Sequence, residues 1–193
     1  MGHRRHQDHY GKKAKSAGFA ARSVYKLEEV QKRFQIIPRH GRVLDLGCSP
    51  GSWSNYVKRV GGADTHLVGI DLTEVPGFLG HQFVDSVFDV DPAALREALG
   101  GAADLVMSDM APATTGNRFT DHVRQIELAE QARVLAAELL APGGNFIVKV
   151  FEGEDAQGLV ERIRQDYGKT KRVKPKAVRK ESVEFFVLGM GRK

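Results

Sequence analysis

From Gly41 to Met190 the chain alternates short, continuous apolar runs with stretches in which apolar positions recur every three or four residues. The runs are "GRVLDLG", "THLVGIDL", "HQFV", "ADLVMSD", "GNFIVKVF" and "VEFFVLGM". Between them lie "SWSNYVKRV", "DPAALREAL", "VRQIELAEQARVLAAELL" and "GLVERIRQDYG". Strands buried on both faces read as unbroken apolar runs, and their alternation with amphipathic helices predicts an α/β fold, a mostly parallel sheet with helices on both faces. A further helix comes first, in "GFAARSVYKLEEVQKRF", where Val24, Tyr25, Leu27, Val30 and Phe34 keep mostly helical spacing until "IIPRHG" ends it. No internal repeat or interdomain linker interrupts the pattern. Residues 22–193 therefore read as a single domain and 1–21 as a basic N-terminal arm. In open sheets of this kind, ligands bind beyond the carboxyl ends of the strands.

One position breaks the pattern. In "NFIVKVFEGE" the ammonium of Lys149 falls inside an apolar run, where an unpaired charge is costly. Either this lysine snorkels out from the end of its strand or it does chemistry there.

Composition narrows the class. At 193 residues and 41% hydrophobic content the chain can bury one sizeable core. Its apolar stretches are too short to cross a bilayer, and the start "MGHRRHQDHYGKKAKSAG" has no apolar signal core, so a cytoplasmic protein without a membrane is expected. Cys48 is the lone cysteine, which rules out an internal disulfide and leaves too few thiols for a structural zinc site. It reads as a small packing residue. The net charge of +5 is concentrated in "HRRHQDHYGKKAK" and "GKTKRVKPKAVRK". One basic run is ordinarily a solvated end, but two of them bracketing one core favour a polyanion partner.

The first strand ends in "VLDLGCSPGSWS", with Gly47 and Gly51 in the turn and a helix N-terminus following. Such a turn lets backbone approach a ligand, although a tight strand-to-helix connection alone would explain it. "GIDL" sharpens the signal, because Asp71 at the end of the second strand can accept both hydroxyls of a ribose, as an adenosine-containing cofactor requires. The turn is not G-x-G-x-x-G, and Pro50 removes a donor that a pyrophosphate would want. No G-x-x-x-x-G-K-[ST] loop for a nucleoside triphosphate is present.

Taken in order, "SVYKL", "DLGCSPGSWS", "GIDL", "SDMAP", "VKVFEGE" and "RKESVEFFVL" make the chain resemble the FtsJ/RrmJ family of RNA 2′-O-methyltransferases, from about Arg22 to the last strand. The resemblance implies a Rossmann-like S-adenosylmethionine-dependent methyltransferase that needs no metal and works as a monomer on RNA, with a uridine of 23S ribosomal RNA or the large ribosomal subunit as its target. It places Gly51 and Trp53 against the methionine part of the cofactor and Asp71 on its ribose. The acid that holds adenine is Asp85 or Asp89, which local spacing does not separate. It also implies a Lys-Asp-Lys-Glu tetrad at Lys26, Asp109, Lys149 and Glu184, with Glu181 as the alternative to Glu184. Each member has a plainer reading: Lys26 a solvated helix charge, Asp109 a cap, Glu184 an exposed strand residue. Lys149 is hardest to explain that way. "APATTGNRFTDH" suits a mobile loop in which Asn117 and Arg118 meet RNA.

Three other functions compete. Transfer RNA or an mRNA cap would be a different substrate for the same chemistry. A non-catalytic RNA-binding module on a decayed fold should have lost part of the tetrad. A small-molecule methyltransferase or oxidoreductase would not need the basic ends.

Overall fold

A computed structural model describes residues 9–179 and 182–193. The first eight residues of the predicted arm, and Glu181, lie outside them. Helix α1 spans His9–Ser16 and α2 Val24–Phe34, followed by β1 Arg42–Leu46, α3 Ser52–Gly61, β2 His66–Asp71 and β3 His81–Val84. The second half runs α4 Pro92–Leu99, β4 Ala103–Ser108, α5 Arg118–Leu139, β5 Leu140–Phe151, α6 Ala156–Asp166, β6 Tyr167–Val173 and β7 Glu184–Arg192. The seven strands form one sheet in the order β3-β2-β1-β4-β5-β7-β6. The first five pair in parallel and β7 runs antiparallel to both neighbours. The chain moves outward from β1 to β3 and then returns to β4 on the other side of β1, so the switch point lies between β1 and β4.

Strand periodicity divides the interior into two layers. Leu44 and Leu46 of β1, Phe146, Val148 and Val150 of β5, and Phe185 and Val187 of β7 pack with α4, α5 and α6. Their sequence neighbours Val43, Ile147, Phe186 and Leu188 turn to the opposite face, against Leu27 and Val30 of α2 and Val57 of α3. Each large side chain so enclosed contributes roughly 1.5–3 kcal/mol. The period of two also sends Lys149 and Glu184 to the α2 side, where Lys26 waits.

Local chemistry sets the helix ends. Asp91 accepts from Ala93 N at 2.9 Å, Pro92 opens α4, and Gly100 closes it at φ 67°. Among the described residues, no helix is long and apolar enough to cross a membrane.

Two elements depart from the expected pattern. α1 lies within the predicted arm and is a helix seated on α2, with buried Ala14 and the Tyr10 ring 5.6 Å from Tyr25. β6 takes up "YGKTKRV", a segment that reads as the end of a helix and the start of a basic run. Only Tyr167 and Val173, at its two ends, are buried, so an edge strand studded with lysines has no apolar alternation to announce it.

Candidate active site

The turn after β1 is drawn toward β2: the amides of Gly47 and Cys48 both donate to Ile70 O, at 2.8 and 3.2 Å. Gly47 has φ +79°, and a Cβ there would lie 2.5 Å from the Met110 side chain, so the ends of β1 and β4 touch only because this residue has none. Asp71 stands opposite, with Oδ2 accepting from Ser49 N at 3.0 Å and Oδ1 from Thr73 N at 2.9 Å. Each carboxylate oxygen keeps a further lone pair for a ligand. Gly47, Asp71, Asp85, Phe88, Asp109 and Met110 help line a cavity of about 430 Å³ beyond these strand ends.

The other cofactor candidates lie elsewhere. Asp89 is exposed, its amide closing a turn onto Ser86 O at 3.1 Å, and it does not line the cavity. Nor do Gly51 and Trp53. Gly51 takes φ +89° ahead of α3, while the Trp53 indole is buried against Phe186 with its Nε1 donating to Ser23 O at 2.9 Å. Trp53 thereby ties α3 to the start of α2, three residues before Lys26.

Lys26, Asp109, Lys149 and Glu184 come together in space although 158 positions separate the first from the last. The ammonium of Lys26 pairs with Glu184 Oε1 at 2.5 Å and lies 3.9 Å from Asp109 Oδ1. Lys149 donates to the main-chain carbonyl of Asp109 at 2.5 Å and sits 3.2 Å from Asp109 Oδ1. The side chain of Lys149 is only 7% exposed, so it does not snorkel into water. Two ammonium groups and two carboxylates formally cancel, which offsets much of the cost of enclosing them. Asp109 Oδ1 is buried and has no aligned hydrogen bond despite these two ammonium groups, which approach it off-axis. It is an acceptor facing a charged cluster with a lone pair to spare.

A second cavity, of about 440 Å³, lies on the other side of the cluster, lined by Arg22, Ser23, Lys26, Arg179, Ser182 and Glu184. It shares no lining residue with the first. Arg22 also reaches across to Ala177 O at 2.6 Å, joining the start of α2 to the segment before β7.

Two further polar residues belong to the site, Asp45, the first residue of "DLGCSPGSWS", and Gln125. Asp45, wholly inside β1, binds Ser54 Oγ at 2.5 Å. Burial pushes its carboxyl up to about 7, the Asp109 and Asp71 carboxylates adding to the rise and the Ser54 hydrogen bond opposing it. Gln125 of α5 is buried and its Nε2 donates to Lys149 O at 2.9 Å. Cys48 is buried, and the enclosure together with Asp45 and Asp71 pushes its thiol well above the ordinary range, which suits a packing residue and not a nucleophile. The loop after Asp109 is tied down, because Asp121 accepts from Thr115 N, Thr115 Oγ1 and Gly116 N at 2.7, 2.9 and 3.2 Å.

A parallel sheet with one antiparallel strand, an acid at the end of β2 and a charged cluster at the ends of β4 and β5 define a Rossmann-like methyltransferase. The chain belongs to the FtsJ-like methyltransferase family, whose model matches residues 19–192. It is 42% identical to Ribosomal RNA large subunit methyltransferase E of Desulfosudis oleivorans, over 98% of this chain and 93% of that one. The protein of the same name from Rhodopseudomonas palustris is 44% identical over 95% of this chain and 80% of its own. In fold it resembles the crystal structure of a ribosomal RNA methyltransferase from Plasmodium falciparum, with a TM-score of 0.77 at 23% identity, over 90% of this chain and 98% of that one.

Proposed function

We propose that this protein transfers a methyl group from S-adenosylmethionine to a ribose 2′-hydroxyl of RNA, with a uridine of 23S ribosomal RNA in the cytoplasm as its target. The observation that carries the reading is the buried tetrad at the place where two cavities approach, one lined by Asp71 and Asp109 and the other by Arg22, Arg179, Lys26 and Glu184. The names of the relatives point to the large ribosomal subunit as the source of the RNA.

The first cavity suits the cofactor. Asp71 has lone pairs left for both ribose hydroxyls, and Gly47 leaves space where any side chain would collide. Asp85 lines the cavity and Asp89 does not, which favours Asp85 for the adenine amino group. For Gly51 and Trp53 the contribution consistent with these positions is the backbone at the start of α3, where N–H groups lack helical partners. S-adenosylmethionine, when bound, supplies an electrophilic methyl group carried on a sulfonium.

The chain's own residues then handle the acceptor, which enters from the cavity lined by Arg22 and Arg179. Lys26 is held by Glu184 and Lys149 by the Asp109 carbonyl, so both ammonium groups are fixed before RNA arrives. Preorganised alignment of this kind can supply roughly 7–11 kcal/mol of the barrier. A 2′-hydroxyl is a poor nucleophile unless its proton leaves as it attacks. Two routes are open to this geometry: a neutral Lys149 Nζ takes the proton, or a charged Lys149 steadies the alkoxide while Asp109 Oδ1 accepts it.

The test is to incubate the purified protein with labelled S-adenosylmethionine and large-subunit ribosomal RNA or intact subunits, and to map 2′-O-methylation. A single modified uridine is the expected result. Methylation confined to transfer RNA or to cap structures would replace the substrate, and none on any RNA would remove the reading.

A further inference from the structure

Seven large hydrophobic side chains are exposed among the described residues: Leu72, Leu79, Val84, Phe88, Phe119, Val134 and Val183. Leu72 and Phe88 line the cofactor cavity, and Leu79 lines a shallow depression beside Lys58 and Arg59. Phe119 belongs to neither and is 73% exposed.

Its position is defined by its neighbours. Phe119 is the second residue of α5, a helix that starts on the carboxyl side of β4, after the loop that leaves Asp109. The next turns of the same helix touch the end of β5: the His122 ring lies where a Cβ on Gly153 would sit, and Gln125 binds Lys149 O. Phe119 is therefore at the rim of the sheet edge that carries the tetrad. It is also firmly presented. Asn117 caps the helix by accepting from Thr120 N at 3.1 Å, and Asp121 gathers the amides of Thr115 and Gly116. Arg118, the preceding residue, and Arg124, further along the helix, are exposed as well. An exposed aromatic ring on a fixed helix start, with a cation next to it in the chain, offers an unpaired nucleotide a surface for the base to stack on and charge for its phosphates.

We propose that Phe119 is a stacking platform for an unpaired base of the RNA near the methylated ribose. The proposal rests on the RNA methyl-transfer reading above. Stacking is tolerant of base identity, so Phe119 holds the strand in place while other contacts choose the sequence. The contact is apolar and leaves the number of phosphate contacts unchanged.

The test uses the full-length protein and naked large-subunit ribosomal RNA. Phe119→Ala should weaken RNA binding by roughly fivefold to a hundredfold, the range expected for loss of one stacked base. The salt slope of binding, the dissociation constant of S-adenosylmethionine and the thermal midpoint should not move. Phe119→Trp should bind as the wild type does, and its introduced indole should be quenched by RNA beyond any change that the buried Trp53 shows in the wild-type protein. Wild-type affinity in Phe119→Ala, or an unquenched indole, overturns the proposal while leaving methyl transfer standing. So does a defect seen only with assembled subunits, which would assign Phe119 to a protein partner. If the wild-type protein neither binds nor methylates RNA, the underlying reading fails first.

Discussion

A lysine enclosed on nearly all sides is tolerated here because its charge is answered locally, and that same enclosure makes it sensitive to substitution. The Lys149 ammonium contacts both the carbonyl and the carboxylate of Asp109. Lys149→Ala should lower the single-turnover rate at saturating RNA and cofactor by roughly 10²–10⁴, the usual share of a positioned acid or base. Lys149→Arg should fail as well, since a guanidinium never gives up its proton and is planar where the site is built for a point charge. A near wild-type rate in either variant would leave this lysine a structural counter-ion. Asp45 shows the opposite case, a buried carboxyl with no cation against it. Its folded value of about 7 lies well above the ordinary aspartate value of 3.8. Between those pH values the folded chain keeps a proton that the unfolded chain has released, so stability falls as pH rises through that window and levels off above it. Asp45→Asn cannot ionise and still accepts from Ser54. Its stability relative to the wild type should grow by about 2–3 kcal/mol from pH 5 to pH 8, at about 1.4 kcal/mol per unit. Denaturant titrations at the two pH values measure this, and a difference independent of pH would mean that Asp45 does not titrate in that range.

At the scale of elements, the site exists because β4 and β5 part company. Their last paired residues are Ser108 and Val148, and the carbonyl of Lys149, one position further, is taken by Gln125 of α5. α5 thus does more than cover the sheet, since it fixes the strand end from which the lysine projects. Gln125→Leu preserves bulk but removes that donor, and should cost roughly 1–3 kcal/mol of stability. If the bond positions Lys149, the single-turnover rate should also fall by roughly tenfold to a hundredfold with cofactor affinity unchanged. A stability loss with an unaltered rate would make Gln125 a packing residue only. The apolar runs were sufficient to place six of the seven strands and the helices between them, because continuous burial leaves a direct mark on composition. They could not show β6, whose exposed lysines hide an edge strand, or α1, whose few apolar contacts are made by Tyr10 and Ala14. The tetrad was legible only as a set of motifs, since nothing local says that Lys26 and Glu184 meet. Gln125 gave no sign, and Asp45, a charge inside "GRVLDLG", gave no role, because a buried polar side chain in an apolar element acquires meaning only from its partner. Trp53 was legible as important, but its ring serves the union of α2 and α3.

In the whole molecule the tetrad borders two cavities. One cavity lies over the ends of β1, β2 and β4, the other between α2 and the segment entering β7, and no residue lines both. The hydroxyl and the methyl group must meet at the tetrad for transfer to occur, but the remaining contacts of the two ligands fall on different residues. Affinity on the two sides should therefore be separable by mutation. Asp71→Ala removes the acceptor for two ribose hydroxyls and should weaken S-adenosylmethionine binding by about 1–3 kcal/mol, while RNA affinity stays within a factor of about three. Arg179→Ala, on the opposite side, should weaken RNA binding and reduce its salt slope by about one phosphate contact, leaving cofactor affinity in place. Calorimetry of each variant with each ligand, at several salt concentrations for RNA, measures all four effects. If Asp71→Ala weakened both ligands equally, or Arg179→Ala changed cofactor binding as much as RNA binding, the two cavities would belong to one coupled site.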